Sequence, residues 1–207
     1  MLALADKADT LAVAFGLGLE PTGSRDPFGL RRAAAGVAAI ALARGYRLDP
    51  NELLGERAAG FVLDRLEPSL LEEGLTVEEV RAARGSEAVE PVDVAAVARA
   101  LHAFAGPRRD AVRDAYGRCV RIAAGAAAGP VADALLTEPA EQELARALIS
   151  APETLDAAAD LVPAVNRFFE DVLVMAPDEA VRANRLTLVA NVAAALRRLG
   201  DFGQLPG

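Results

Sequence analysis

The chain has 207 residues, of which 53% are hydrophobic and only 4% aromatic, and its net charge is −8 at pH 7. This length accommodates one large domain or two small ones, and no uninterrupted apolar run approaches the roughly 18 residues of a transmembrane span. The acidic balance counts against nucleic acid as a partner, because neutralised phosphates supply much of that affinity. A local basic patch could still bind nucleic acid despite the acidic net charge.

A reducing, cytoplasmic location is expected. The chain has one cysteine, Cys119, which cannot form an internal disulfide. Its N-terminus carries Asp6, Lys7 and Asp9 before any apolar segment, which is not the pattern of a signal peptide.

The first half of the chain predicts a series of helices separated by loops. Apolar residues recur at helical spacing in residues 4–15, 27–44 and 50–68, in a short helix after Thr76, and from Pro91 to about Phe104. Asp26 and Pro27 are interpreted as the N-cap and first-turn proline of the second helix. Thr76 and Glu79 have the spacing of a capping box.

The second half predicts longer amphipathic helices, at about residues 108–124, 139–150, 152–161, 163–174 and 178–199. Pro163 is expected to restart a helix after a kink, because proline disrupts a helix interior. Residues 105–107 are the predicted boundary between two helical subdomains, 1–104 and 108–207, and residues 202–207 are expected to form a tail. The predicted fold class is all-α, since Ala and Leu dominate the apolar content.

No active site is predicted. His102 is the only histidine and is interpreted as a helix-surface or core residue, while Cys119 lies in a different helix with no sequence reason to be adjacent. The Thr22–Asp26 loop could cradle a phosphate at a helix N-terminus, but Asp26 competes for the same N–H groups, so a capped turn is favoured. We therefore predict neither catalytic residues nor a metal site in this chain.

Arginines and one asparagine are the main candidates for binding. They recur roughly on one face of the 108–124 helix and beside the apolar stripe of the last helix. The candidates are Arg109, Arg113, Arg118, Arg121, Arg182, Asn184 and Arg185. Two interpretations of these residues remain: they bind phosphate, or they are solvent-exposed charges without a ligand.

Two regions of the chain carry recognisable motifs. Residues 4–11 read LADKADTL and residues 21–33 read PTGSRDPFGLRRA, and together they resemble a signature from the middle of the β subunit of bacterial two-subunit glycyl-tRNA synthetases. Residues 168–175 read FFEDVLVM and residues 182–188 read RANRLTL, and these resemble the sequence at the end of that subunit's anticodon-binding domain. The resemblance implies that the chain is the C-terminal part of a longer β subunit.

The last segment also resembles the DALR-type anticodon-binding domain of arginyl-tRNA synthetases, through NRFF at residues 166–169 and RLTL at residues 185–188. The resemblance implies a helical bundle for the second subdomain, and Phe168 and Phe169 are interpreted as core residues. In residues 115–122 the family's basic position is kept, but its amide positions are lost. Asp6 resembles a metal ligand of HD-type domains, yet the other ligands of that site are absent, so Asp6 is interpreted as a structural remnant.

These resemblances imply a tRNA-binding, anticodon-recognising region that supports ATP-dependent glycylation carried out with an α subunit. The implied partners are glycine tRNA, the α subunit and the remainder of the β subunit, in an α2β2 enzyme without membrane contact. ATP and Mg²⁺ are used by the whole enzyme, neither is expected to bind this segment, and the segment alone is expected to be inactive. The alternative is a structural module for subunit assembly that makes no direct contact with tRNA.

Overall fold

The computed structural model describes residues 2–207, and these residues form eleven α-helices, two short 3₁₀ turns and no β-strand. The all-α prediction is confirmed. The helices are α1 (Leu2–Gly16), α2 (Leu30–Arg44), α3 (Pro50–Leu54), α4 (Glu56–Leu63), α5 (Leu66–Glu72), α6 (Val77–Arg84), α7 (Pro91–Ala103), α8 (Pro107–Ile122), α9 (Pro139–Ile149), α10 (Leu155–Asp171) and α11 (Glu179–Arg197).

The helices belong to two compact units. Unit 1 holds the chain up to Arg84 together with Ala88–Arg99, and unit 2 holds Gly85–Glu87 and Ala100–Gly207. Helix α7 therefore passes from unit 1 to unit 2 without interruption, and the turn at residues 105–107 lies inside unit 2.

In unit 1, α1 packs against α2 through small and branched apolar side chains. Leu11 on α1 and Val37 on α2 are fully buried, and small side chains such as Ala34 let the two helices approach closely. The second helix begins at Leu30, three residues later than the sequence predicts, with Gly29 as its N-cap in the left-handed region at φ 64°. Asp26 still caps it, because its carboxylate accepts hydrogen bonds from the backbone N–H groups of Leu30 (2.8 Å) and Arg31 (3.0 Å).

The predicted helix over residues 50–68 is wrong: three short helices, α3 to α5, occupy this region. Gly55 separates α3 from α4 at φ 79°, a conformation that glycine adopts without strain. Pro68 lies in the first turn of α5 and does not end a helix, because the first turn needs no N–H donor. The Thr76 capping box is confirmed by reciprocal bonds with Glu79 at 3.0 and 3.2 Å.

The core of unit 2 lies where α8 packs against α10 and α11. Fully buried side chains meet there: Val112 and Cys119 from α8, Phe168 from α10, and Val192 from α11. The predicted restart at Pro163 is wrong, since α10 continues through this proline. Pro163 lies on the exposed side of α10, away from this core.

The predicted C-terminal tail is also wrong. Phe202 is fully buried in a 3₁₀ turn, and its ring packs on Tyr116 of α8 with centroids 5.9 Å apart. The Tyr116 hydroxyl donates to Asp201 (3.0 Å), and the carbonyl of Pro206 accepts from Arg113. The last residues of the chain therefore pack against α8.

Candidate nucleic-acid interface

Three arginines in the first half of α8 are occupied by partners inside unit 2. Arg108 forms ion pairs with Asp156 and Asp160 of α10. Arg109 donates to the carbonyl of Leu101 (3.1 Å). The partners of Arg113 are Asp110, Asp114 and the Pro206 carbonyl. In this half of α8, the charges of Arg108 and Arg113 are therefore neutralised by carboxylates, and the Arg109 side chain is held by a hydrogen bond.

The C-terminal half of α8 differs. Arg121 is exposed and, within residues 2–207, its guanidinium has no carboxylate or carbonyl partner. Arg118, one turn earlier, lies with its guanidinium carbon 5.4 Å from the centroid of the Phe169 ring and has no ion pair in the described part of the chain. These two side chains keep a net positive charge at this end of the helix.

Phe168 and Phe169 do not share one environment, although the sequence predicts both as core. Phe168 is fully buried, whereas Phe169 is half-buried and meets Phe168 edge to face at 5.4 Å. Consecutive residues of a helix are about 100° apart, so two neighbours cannot both face one core. That helical spacing is the sequence signal that could have separated the two rings.

The α11 candidates are placed in three different ways. Arg182 is half-buried and donates to the carbonyls of Ala176 (2.9 Å) and Pro177 (3.5 Å), with no carboxylate partner in the described residues. Asn184 is buried, and its amide pairs with both the N–H (2.8 Å) and the C=O (3.1 Å) of Ala132. Arg185 points into the interior of unit 2.

Arg185 and Glu141 form a buried ion pair. Arg185 Nε donates to Glu141 Oε1 at 2.6 Å, and its Nη1 donates to the carbonyl of Leu173 at 2.9 Å. Glu141 also completes the capping box of α9 by accepting from Glu138 N–H at 2.7 Å. Burial acts to raise the pKa of Glu141, but the Arg185 guanidinium and the Glu138 N–H outweigh it and hold that pKa below its ordinary value. This pair joins α9, α11 and the segment after α10.

Cys119 and the acidic side chains are the remaining candidates for chemistry. Burial raises the pKa of the Cys119 thiol to about 12, so it is not a thiolate near neutral pH. Among residues 2–207, no group of three or more His, Cys, Asp and Glu side chains is arranged to hold a metal. No helix in this part of the chain is long and apolar enough to span a membrane.

Comparison with known proteins agrees with this arrangement of helices. Residues 112–201, which cover most of α8 to α11, match the DALR anticodon binding domain, so unit 2 contains a domain of that class. Residues 1–85 match the family described as glycyl-tRNA synthetase beta subunit. The chain belongs to this β-subunit family.

Full-length relatives extend the match over nearly the whole chain. The glycine–tRNA ligase beta subunits of Leptothrix cholodnii, Chromohalobacter salexigens and Nitratidesulfovibrio vulgaris are 36%, 37% and 38% identical to it over 99% of its residues. The chain spans only about a third of their length, between 33% and 36%. The alignments run over 236 to 253 positions, so the relatives carry extra residues within this region of 207.

Proposed function

We propose that unit 2 binds tRNA at the anticodon stem-loop and thereby supports the ATP-dependent glycylation of glycine tRNA carried out with an α subunit. The observation that carries this proposal is the match of residues 112–201 to an anticodon-binding domain, in a chain whose relatives are glycine–tRNA ligase beta subunits. Arginine contacts to phosphate position a protein on a nucleic acid without reading its sequence.

The side chains that suit these contacts are the ones whose charge is not already neutralised. We assign phosphate contacts to Arg121 and Arg182, and RNA contact to Arg118, because none of the three has a carboxylate partner in the described residues. Arg109 and Arg113 bind neighbouring groups of their own unit, so we assign them a secondary part. We assign a structural role to Asn184 and Arg185, which bind groups inside unit 2 and do not face the proposed RNA surface.

ATP and Mg²⁺ belong, in this proposal, to the whole enzyme. The phosphate-binding candidate of the sequence, the Thr22–Asp26 loop, does not fit a phosphate, because the Asp26 carboxylate occupies the N–H groups of Leu30 and Arg31 that a phosphate would need. The loss of these donors and the charge of Asp26 both work against an anion at the start of α2. We derive no chemical step in this chain, and we expect its partners to be the α subunit and the remainder of the β subunit, in an α2β2 enzyme.

A second candidate function is a module for subunit assembly without tRNA contact. Its support is a set of large apolar side chains exposed to solvent in each unit. In unit 1 these include Leu17 (70% exposed) and Phe28, and in unit 2 Ile149, Leu173 and Met175. Neutralised arginines such as Arg108 also suit this function.

The experiment that separates the two functions is tRNA binding at several salt concentrations. The test variant is Arg121→Gln with Arg182→Gln. The matched control is Arg108→Gln with Arg167→Gln, which removes the same charge from arginines that are already ion-paired with carboxylates. We expect the test variant to bind all tRNAs more weakly and to lower the salt slope by roughly 1 for each phosphate that it no longer neutralises. If both variants change the slope equally, or if the unmodified chain binds no tRNA at low salt, the assembly function replaces ours.

A further inference from the structure

Arg118 lies over an aromatic ring and forms no ion pair within residues 2–207, unlike Arg108, which also lies over a ring but is paired with carboxylates. The Arg118 guanidinium carbon is 5.4 Å from the centroid of Phe169, within the range of a cation–π contact. Phe169 is itself fixed from behind by the buried Phe168 ring, at 5.4 Å and 75°. The two rings meet edge to face, and with Arg118 they form a chain of contacts that leads from the core of unit 2 to a half-buried arginine at its surface.

No carboxylate of the described residues neutralises the positive charge of Arg118. Arg118 has no ion pair within residues 2–207, and Arg121, three residues further on, adds a second uncompensated positive charge on the neighbouring turn. Residues three apart on a helix are neighbours at its surface. Ile122, one turn after Arg118, is apolar and partly exposed. The carboxylate one turn before Arg118, Asp114, is ion-paired with Arg113.

We propose that the outer face of the Arg118 guanidinium is a stacking site for an unpaired nucleobase of the anticodon loop, with Phe169 as its positioning residue and Arg121 holding a flanking phosphate. This inference rests on the proposed tRNA binding and deepens it by naming where a base is contacted. Unpaired bases of RNA loops stack on aromatic rings and on arginine guanidinium planes. A guanidinium held against a ring is already restricted before the base arrives, so less side-chain freedom is given up on binding.

The chemistry distinguishes a stacking arginine from a phosphate-binding one. A lysine keeps the charge but has no planar group, so Arg118→Lys preserves a phosphate contact and removes a stack. A stack contributes little to the salt slope, whereas a phosphate contact contributes about 1. Phe169→Leu keeps an apolar group against Phe168 and removes the support of the guanidinium.

The test uses the full chain and two RNAs: a glycine tRNA anticodon stem-loop, and the same stem-loop with its three anticodon bases replaced by abasic sites. We expect base removal to weaken binding by the unmodified chain roughly tenfold, in line with the stacking contribution of one base. Arg118→Lys should bind the intact RNA as weakly as the unmodified chain binds the abasic RNA, should not distinguish the two, and should keep the original salt slope. Phe169→Leu should show the same loss of discrimination in weaker form.

Two outcomes overturn the inference while leaving the proposed function standing. In one, Arg118→Lys binds both RNAs as the unmodified chain does. In the other, Arg118→Lys weakens both RNAs equally, which would make Arg118 a phosphate or structural residue. If the unmodified chain binds neither RNA, both the inference and the proposed function fail. Circular dichroism of each variant shows whether its helices are intact, and Arg108→Lys, whose charge is ion-paired, serves as the matched control.

Discussion

Arg185 shows how strongly one residue's environment depends on its fold. The sequence places it beside an apolar stripe, as a candidate for RNA contact, but its side chain is buried against Glu141 and the Leu173 carbonyl. A buried ion pair is weak evidence for a gain in stability, because both charges lose their hydration. Removing one partner is a different matter, since the other charge is then left buried and alone.

Arg185→Met should therefore destabilise the chain by about 3–5 kcal/mol, because it leaves the Glu141 carboxylate buried without its counter-charge. Arg182→Met is the matched control: it lies on the same helix, is half-buried and donates only to backbone carbonyls, so we expect a loss of about 1 kcal/mol. Urea unfolding measures both. The double variant Arg185→Met with Glu141→Gln should recover part of the loss, since the amide oxygen can still accept from Glu138 N–H. A cost for Arg185→Met no greater than that of the control would contradict the role of the pair.

The same pair gives a pH dependence with a defined sign. The folded-state pKa of Glu141 is below its ordinary value of 4.5, so its stabilising contribution is present above that value and is lost as the pH falls through the folded-state pKa. The difference in unfolding free energy between the unmodified chain and Arg185→Met should be largest at neutral pH and above and shrink as the pH falls, because protonation of Glu141 removes the unpaired buried charge from the variant. Other acid-sensitive groups, such as Glu73, whose pKa the Arg99 guanidinium lowers, are common to both proteins and cancel in the difference. A difference that persists unchanged to pH 3 would show that Glu141 is not the titrating group.

At the scale of elements, two asparagines attach a loop to the last helix. Asn184 pairs with both backbone groups of Ala132, and Asn191 pairs in the same way with Gly129 at 2.8 and 2.9 Å. Seven residues along a helix rise about 10.5 Å, and three residues of extended chain span about 10 Å. The two amides of α11 therefore match the spacing of the loop backbone, as a neighbouring strand would.

Replacing either asparagine should loosen this loop more than it destabilises the helix. Asn191→Ala and Asn184→Ala each remove two hydrogen bonds, and we expect losses of about 1–2 kcal/mol, larger for the buried Asn184. Hydrogen exchange should become faster at the Gly129 amide in Asn191→Ala and at the Ala132 amide in Asn184→Ala. Asn166→Ala on α10 is the control, because the Asn166 side chain makes no hydrogen bond within residues 2–207. Unchanged exchange at both amides would mean that the loop is held by other contacts.

The elements that the sequence predicts correctly are those whose signals are local. Gly45 ends α2 through the left-handed conformation that the sequence predicts for a C-terminal glycine, and Pro91 begins α7. The prediction at Pro163 is wrong because its exposed position lets α10 tolerate a missing N–H donor. Exposure is a property of the tertiary fold that the local sequence does not show.

The candidate site was less accessible to sequence reasoning, because most of its features depend on distant partners. Arg113 is held by Pro206, and Arg108 by Asp156, through contacts that no local pattern contains. Phe202 is buried because Tyr116, far away along the chain, offers it a surface. Only the difference between Phe168 and Phe169 could have been derived, from the 100° step between consecutive helical residues.

At the scale of the whole molecule, negative charge is not confined to one part. Unit 2 holds eleven arginines against fifteen acidic residues, and unit 1 holds ten arginines and one lysine against fifteen. The RNA-facing charge proposed here is thus local, at the end of α8 and the start of α11, and it acts against a repulsive background. Weak binding that depends strongly on salt is the expected consequence.

That charge distribution leads to a prediction about pH. Arginines keep their charge at all ordinary pH values, and the Cys119 thiol, with a pKa raised to about 12, stays neutral. His102 is the only histidine of the chain, and histidine is the side-chain type that ordinarily changes its charge between about pH 6 and 8. We therefore expect the affinity for glycine tRNA to change less than about twofold across this pH range at constant ionic strength, while it falls steeply between about 50 and 200 mM salt. Fluorescence anisotropy with a labelled tRNA measures both dependences. His102→Gln tests the histidine directly: a marked pH dependence that this variant abolishes would place a titrating group in the interface, and binding driven by arginines alone would then be wrong.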